Sequence, residues 1–228
     1  MEHQRASWRF LSENRSDADF ALLQEACTPP DEVTARIDVG PGPWIHPGWK
    51  GAKAVVRLLE RFSIHRVPVA DIIESAGTHP AIESTARLAV AIVNLWKGER
   101  IGLVSVEAAM DSGSAERVPR MIGEIQDHCG ADLPWIVGAD LTTWWDSDCP
   151  VFDEMRRRGL PLMGPYSPTF YSKLHRERPA DARLQLDYVF ASRSIADRLR
   201  VRALNQTDEW GPSDHCRILI DLQPPQTI

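Results

Sequence analysis

Leu133-Pro134-Trp135-Ile136-Val137-Gly138-Ala139-Asp140-Leu141-Thr142 reads as a buried strand, apolar from Trp135 to Gly138 and stopped by a carboxylate. An aspartate there is often only a turn or cap residue. It can equally project from a sheet edge into a cleft, where loops converge and functional residues concentrate. The arrangement recurs along the chain. Glu25 follows the apolar run Phe20 to Leu23, Asp187 begins Tyr188-Val189-Phe190, and Asp214 with His215 precedes Ile218-Leu219-Ile220.

Working outward from that strand, Val118, Met121, Ile122 and Ile125 recur at helical spacing between 114 and 129, with Ser114 as a plausible cap. A second helix is expected over 149–158. Upstream, 87–95 and 101–106 read as two strands of a hairpin, with further strands at about 53–58 and 64–69. Residues 6 to 14 suit a short amphipathic helix. The Pro- and Gly-rich segment 27 to 51 reads as a long loop, as does 164 to 183. The last third offers strands near 186–191, 197–203 and 215–222. Strands outnumber helices, hairpins accompany a strand–helix–strand unit, and helices on the outer faces of mixed sheets satisfy that pattern. The expected fold is an α/β sandwich, formed by one domain over residues 1–228.

The bulk numbers narrow the partners. The 228 residues carry a net charge of −6 and are 43% hydrophobic and 25% charged, as in a globular protein. A protein that grips long nucleic acid through many phosphates usually has a basic excess, which this chain lacks. Arg156-Arg157-Arg158 and the segment 173 to 178 could supply local positive potential or form solvated faces. The four cysteines form no Cys-x-x-Cys pair and read as buried thiols in a reducing compartment. No signal-peptide pattern and no run near the roughly 18 apolar residues of a membrane span is visible, so a cytoplasmic, membrane-free, monomeric protein is expected.

Carboxylates at strand ends together with a histidine suit a divalent metal and a phosphate. Magnesium prefers hard oxygen ligands and keeps several waters, so one or two carboxylates per ion suffice. A neighbouring Asp–His pair can exchange protons or stabilise charge on an in-line phosphoryl transition state. Leu22-Leu23-Gln24-Glu25 resembles the Leu-Gln-Glu motif of the endonuclease/exonuclease/phosphatase superfamily. Gly138-Ala139-Asp140-Leu141-Thr142 resembles its Gly-Gly-Asp-Phe-Asn motif, Leu186-Asp187-Tyr188-Val189-Phe190 its Asp-bearing strand, and Ser213-Asp214-His215 its terminal Ser-Asp-His. Each motif is short, but the four occur in the family's order from residue 22 to 216.

The resemblance implies a four-layer sandwich of two mixed β-sheets flanked by helices, and a hydrolase of phosphodiester or phosphomonoester bonds, nuclease-like, using Mg2+ or Mn2+. Glu25 would bind the metal. Asp140 would orient or deprotonate the attacking water, and His215 would contact the scissile phosphate, held by Asp187. Asp214 would lie beside the metal or the nucleophile. Thr142 and Thr169 would meet the substrate, a phosphate ester with DNA and RNA among the candidates. Separately from the resemblance, Trp44, Trp49, Trp144 and Trp145 lie near the expected cleft loops, where they could stack on bases or pack over the core.

Three departures accompany the resemblance. The family's first strand, ending in a metal-binding Asn, is not visible ahead of Glu25, and Asn14, inside or just after the first helix, lies too close to Glu25 to replace it. Thr142 stands where the family has Asn. Glu107 ends the strand where the family often has a phosphate-facing His, and its negative charge would repel substrate unless metal-bound or protonated. The expected activity is therefore weakened or specialised. The alternative is a catalytically impaired binding or regulatory module on the same scaffold. A zinc hydrolase is a third option, unsupported by any His-x-x-x-His or Cys/His cluster.

Overall fold

The computed structural model describes residues 2–14, 18–41, 44, 52–69, 72, 88–108, 114–141, 150–171, 184–206 and 208–226. The chain divides into two compact units: Met1–Glu107 with Ile122–Leu133, and Ala108–Met121 with Pro134–Ile228.

The first unit opens with α1 (Glu2–Glu13), whose Trp8 is buried and donates its indole N–H to the Cys27 carbonyl at 2.9 Å. Asn14 closes the helix, its backbone and side-chain nitrogens both donating to the Phe10 carbonyl. β1 (Phe20–Ala26) pairs antiparallel with β2 (Ala52–Arg57), Leu22 opposite Val55. Strand alternation turns Ala21, Leu23, Ala54 and Val56 to one face, where they pack with Trp8, Val33, Ile37 and Leu58. Trp44 completes that cluster, edge-on to Trp8 at 5.5 Å, so its ring packs over the core.

Inside the segment expected to be loop, α2 (Asp31–Thr34) forms a single turn on Pro30, whose φ of −65° suits a helix entry, and buries Val33. One turn is too short to show a helical period. β3 (Ser63–Val67), β4 (Leu88–Asn94) and β5 (Arg100–Glu107) form an antiparallel meander. The expected hairpin is β4–β5, closed by a tight turn in which Lys97 takes a φ of 53° and Gly98 of 78°. From Ile101 to Glu107 β5 is buried at every position, because β1 and β2 lie over it.

α3 (Ser114–Cys129) follows, burying Val118, Ile122 and Ile125 completely. In the second unit β6 (Trp135–Asp140) runs antiparallel to β8 (Asp187–Ala191), and β7 (Leu162–Gly164) adds to the other side of β8. α4 (Pro150–Arg157) sets Phe152 against Tyr188 at 5.1 Å and buries Val151 and Met155. β9 (Leu199–Leu204) and β10 (Arg217–Leu222) form an antiparallel pair. Arg156 and Arg158 on and after α4 pair with Asp153 and Glu154, and Arg157 pairs with Glu154 too, so that basic patch is largely neutralised locally. Cys216 is buried, and burial pushes its thiol up to about 12, an inert state. Among the described residues no helix is long and apolar enough to cross a membrane.

Candidate active site

In the second unit, the β6–β8 register places Asp140 directly opposite Asp187 at the same end of the sheet. Both sit there because an apolar strand ends, or begins, at a carboxylate. The segment 169–171 then works as a splice. Thr169 and Phe170 donate their N–H groups to the Leu184 carbonyl. Tyr171 donates to Asp214, and Cys216 donates back to Thr169 at 2.8 Å. Phe170 thereby bridges Leu184 on one side and His215 on the other. The turn before His215 is locked by its own N–H, which donates to Ser213 Oγ at 3.1 Å.

These constraints bring His215 Nδ1 within 2.8 Å of Asp187 Oδ2. The His215 side chain keeps 29% exposure and Asp187 13%. The Phe170 ring rests on the imidazole, centroids 4.8 Å apart, and limits its rotation. Burial of the ring opposes its protonation, but the adjacent Asp187 carboxylate outweighs that. With Asp140 and Asp214 nearby, the pKa rises from 6.5 to about 9. The imidazole is thus held as a cation at neutral pH, with Nδ1 engaged by Asp187.

Donor atoms of Asp140, Asp187 and His215 all lie within 4.8 Å of one another. Two hard carboxylates and a neutral imidazole would suit a divalent cation, so ion binding through His215 and its protonation exclude one another. Asp140 is nearly buried, whereas Asp214 is exposed. Thr169 is fully buried, and its hydroxyl oxygen accepts the N–H groups of Leu186 and Asp187 at 3.0 and 3.1 Å. The structure puts it beneath the site, at the backbone of Asp187. Thr142, Trp49, Trp144 and Trp145 lie outside the described residues.

In the first unit, Glu25 is exposed and adopts a φ of 51°, a left-handed conformation that a non-glycine residue rarely takes. It occurs where the β1–β2 register slips between Leu23 and Ala26. Leu23 lies opposite Ala54 and Ala26 opposite Ala52, so Gln24 and Glu25 together face the single residue Lys53, which is a β-bulge. Such strain collects at functional positions. Glu107 forms an ion pair with Lys53, the two side chains 11% and 1% exposed. Metal binding and protonation are the compensations expected for Glu107 from the sequence; the structure supplies a third, the Lys53 ammonium from β2. Sequence reasoning missed Lys53, although a lone Lys inside Ala52-Lys53-Ala54-Val55-Val56 is a visible anomaly.

No protein-family model and no curated protein sequence matches the chain. Solved structures do. The endonuclease domain of TRAS1, a telomere-specific non-LTR retrotransposon, superposes with a TM-score of 0.70 at 18% identity, over 99% of this chain and 95% of its own. An endonuclease/exonuclease/phosphatase from Bacteroides vulgatus gives 0.67 at 15% identity, over 97% and 90%. An AP endonuclease from Leishmania major gives 0.59 at 15%, over 98% and 82%.

The chain has the endonuclease/exonuclease/phosphatase fold.

The α/β class expected from the sequence is thus the observed one. Within that fold, Asp140 and Asp187 stand at the end of the β6–β8 pair and His215 beside them. Glu25 stands at the bulged end of β1.

Proposed function

We propose that this chain is a divalent-metal-dependent hydrolase of phosphate esters, nuclease-like in preferring a phosphodiester. The observation that carries the reading is the His215–Asp187 pair at 2.8 Å with Asp140 alongside, a cation and two carboxylates converging at one sheet end. That set meets the needs of phosphoryl transfer, in which positioning and electrostatic stabilisation do most of the work.

In this proposal Asp140 accepts a hydrogen bond from the attacking water and takes up its proton as the new P–O bond forms; the ester P–O bond opposite breaks, and the leaving oxygen takes a proton from solvent. The protonated His215 donates from Nε2 to a non-bridging phosphoryl oxygen and stabilises the charge that gathers there in the transition state. Asp187 fixes the ring and keeps it charged, and Thr169 fixes Asp187 through the backbone. Glu25 in the first unit and Asp214 in the second are each a candidate carboxylate for Mg2+ or Mn2+, whose chemistry when bound is to polarise a phosphoryl oxygen. A phosphate-ester substrate, DNA or RNA among the candidates, agrees with the fold neighbours: one is an endonuclease domain and another an AP endonuclease.

The purified chain should be assayed with Mg2+, Mn2+ or chelator against abasic duplex, supercoiled DNA, RNA, bis-nitrophenyl phosphate and inositol phosphates. Asp140→Asn and His215→Ala should each lower kcat by roughly 100- to 1000-fold, the usual cost of one preorganised group. Cleavage that survives both substitutions, or that ignores chelator, would remove the catalytic assignment. An inert chain with weak or absent magnesium binding would instead support the binding-module alternative.

A further inference from the structure

The bulge that presents Glu25 is gripped from both sides by polar contacts to one face of β5. Gln24 donates its amide to Ser105 Oγ at 2.8 Å, and the Ser105 hydroxyl donates onward to the Leu23 carbonyl at 2.7 Å. Two residues along the same face of β5, Glu107 receives the Lys53 ammonium from the strand opposite the bulge. Ser105 is fully buried and Lys53 almost so, in a layer that is otherwise apolar: Leu22 and Val55 occupy the preceding positions.

A buried ion pair is an unpromising way to gain stability. Replacing one by well-packed apolar residues is often neutral or favourable. Its retention opposite the one left-handed residue of the β1–β2 pair therefore calls for another role. Both halves of the bulge are held: Gln24 by its side chain, and Glu25 by the partner strand whose Lys53 is anchored to β5. With Gln24 turned inward to Ser105, the extra residue leaves the ladder and the Glu25 carboxylate stays at the surface.

We propose that Lys53–Glu107 and Gln24–Ser105 form a double clamp that holds Glu25 preorganised for a divalent cation, making Lys53 a positioning residue. The inference rests on the metal-dependent reading above and gives Glu107 a task in place of the missing histidine. The ammonium pairs with the sealed Glu107, whereas Glu25 is exposed and so is the carboxylate of the two that a cation can reach. A carboxylate held in place binds a metal more tightly than one that must be ordered on binding.

The test uses the full chain, Mn2+ as the probe, and two readouts: the Mn2+ dissociation constant by calorimetry and amide hydrogen exchange at residues 23–26. Glu25→Gln sets the value for loss of the ligand. The charge-free double variant Lys53→Met/Glu107→Leu should remain folded, exchange those amides at least about tenfold faster, and bind Mn2+ about tenfold more weakly. Lys53→Arg should keep wild-type affinity within about twofold, since the charge and the anchor survive. Gln24→Ala should reproduce the double variant's faster exchange. Unchanged exchange and unchanged Mn2+ affinity in the folded double variant would overturn the proposal. If Glu25→Gln leaves Mn2+ binding intact while the double variant still exchanges faster, the clamp stands and the metal assignment of Glu25 falls.

Discussion

Two acid–base pairs of the chain invite comparison because they share a composition and differ in setting. Lys53–Glu107, in the first unit, is sealed, with 1% and 11% of its side chains exposed. His215–Asp187, in the second, keeps 29% and 13%. A sealed ammonium and carboxylate cannot reach a ligand; their work is to fix backbone. An imidazole with one open edge and a titrating proton can do chemistry. Exposure, more than charge type, separates the pair proposed to position from the pair proposed to react.

The comparison breaks most violently at Lys53. Lys53→Met strands Glu107 as an uncompensated buried carboxylate, which should cost about 3–5 kcal/mol of unfolding free energy in urea denaturation. Lys53→Met/Glu107→Leu should recover most of it, because both charges leave together. If the single and double variants were equally unstable, the pair would be packing rather than paired charge.

The second pair is broken by pH. The folded pKa of His215, about 9, lies above its ordinary 6.5, so the stability it contributes is complete below about pH 6.5 and is lost as pH rises through 9. In the metal-free protein that contribution is up to about 3 kcal/mol, from the size of the shift. Wild type should therefore exceed Asp187→Asn in stability by more at about pH 6 than at about pH 10. The imidazole midpoint, followed by NMR, should fall by at least about 2 units in the variant. A midpoint that stays near 9 would show that Asp187 is not what holds the proton.

A smaller effect sharpens the same pair from beneath. Thr169→Val leaves the buried N–H groups of Leu186 and Asp187 without their acceptor, a loss of about 1–3 kcal/mol. Because Asp187 is then less firmly held, kcat should fall while KM moves little. A fall in stability with kcat intact would confine Thr169 to a structural task.

The two pairs were unequally legible in the sequence. Asp187 and His215 could be read because each lies in a local motif: an aspartate opening an apolar strand, a histidine closing a Ser-Asp-His turn. Their meeting, at 2.8 Å, was expected only from the family resemblance. Asp140 was likewise legible from its local motif, as were nearly all the strands, whose apolar runs are long enough to declare themselves. Lys53–Glu107 was not. It joins β2 to β5 across 54 residues, and nothing local says that the lone lysine of one strand faces the glutamate ending another. α2 was missed for want of a second turn, and β7 because three residues between Pro161 and Pro165 read as loop. Thr169 was legible as a residue near the site, but not as one beneath it, since burial depends on which strands bracket the segment.

The smallest effect is the most discriminating, because it should carry opposite signs in two measurements. Glu25 holds a φ of 51° at a bulge, a conformation glycine adopts freely. Glu25→Gly should relieve that strain. Against it stands the greater chain entropy of glycine in the unfolded state, so the net gain in stability should be small, about 0.5 kcal/mol. The same substitution removes the proposed ligand and should weaken Mn2+ binding to the level of Glu25→Gln. A protein that becomes slightly more stable while losing its metal would mark strain kept for function. Were Glu25→Gly destabilising instead, the left-handed bulge would owe its place to contacts of the Glu25 side chain within the fold, and the assignment of Glu25 as a presented ligand would fail with it.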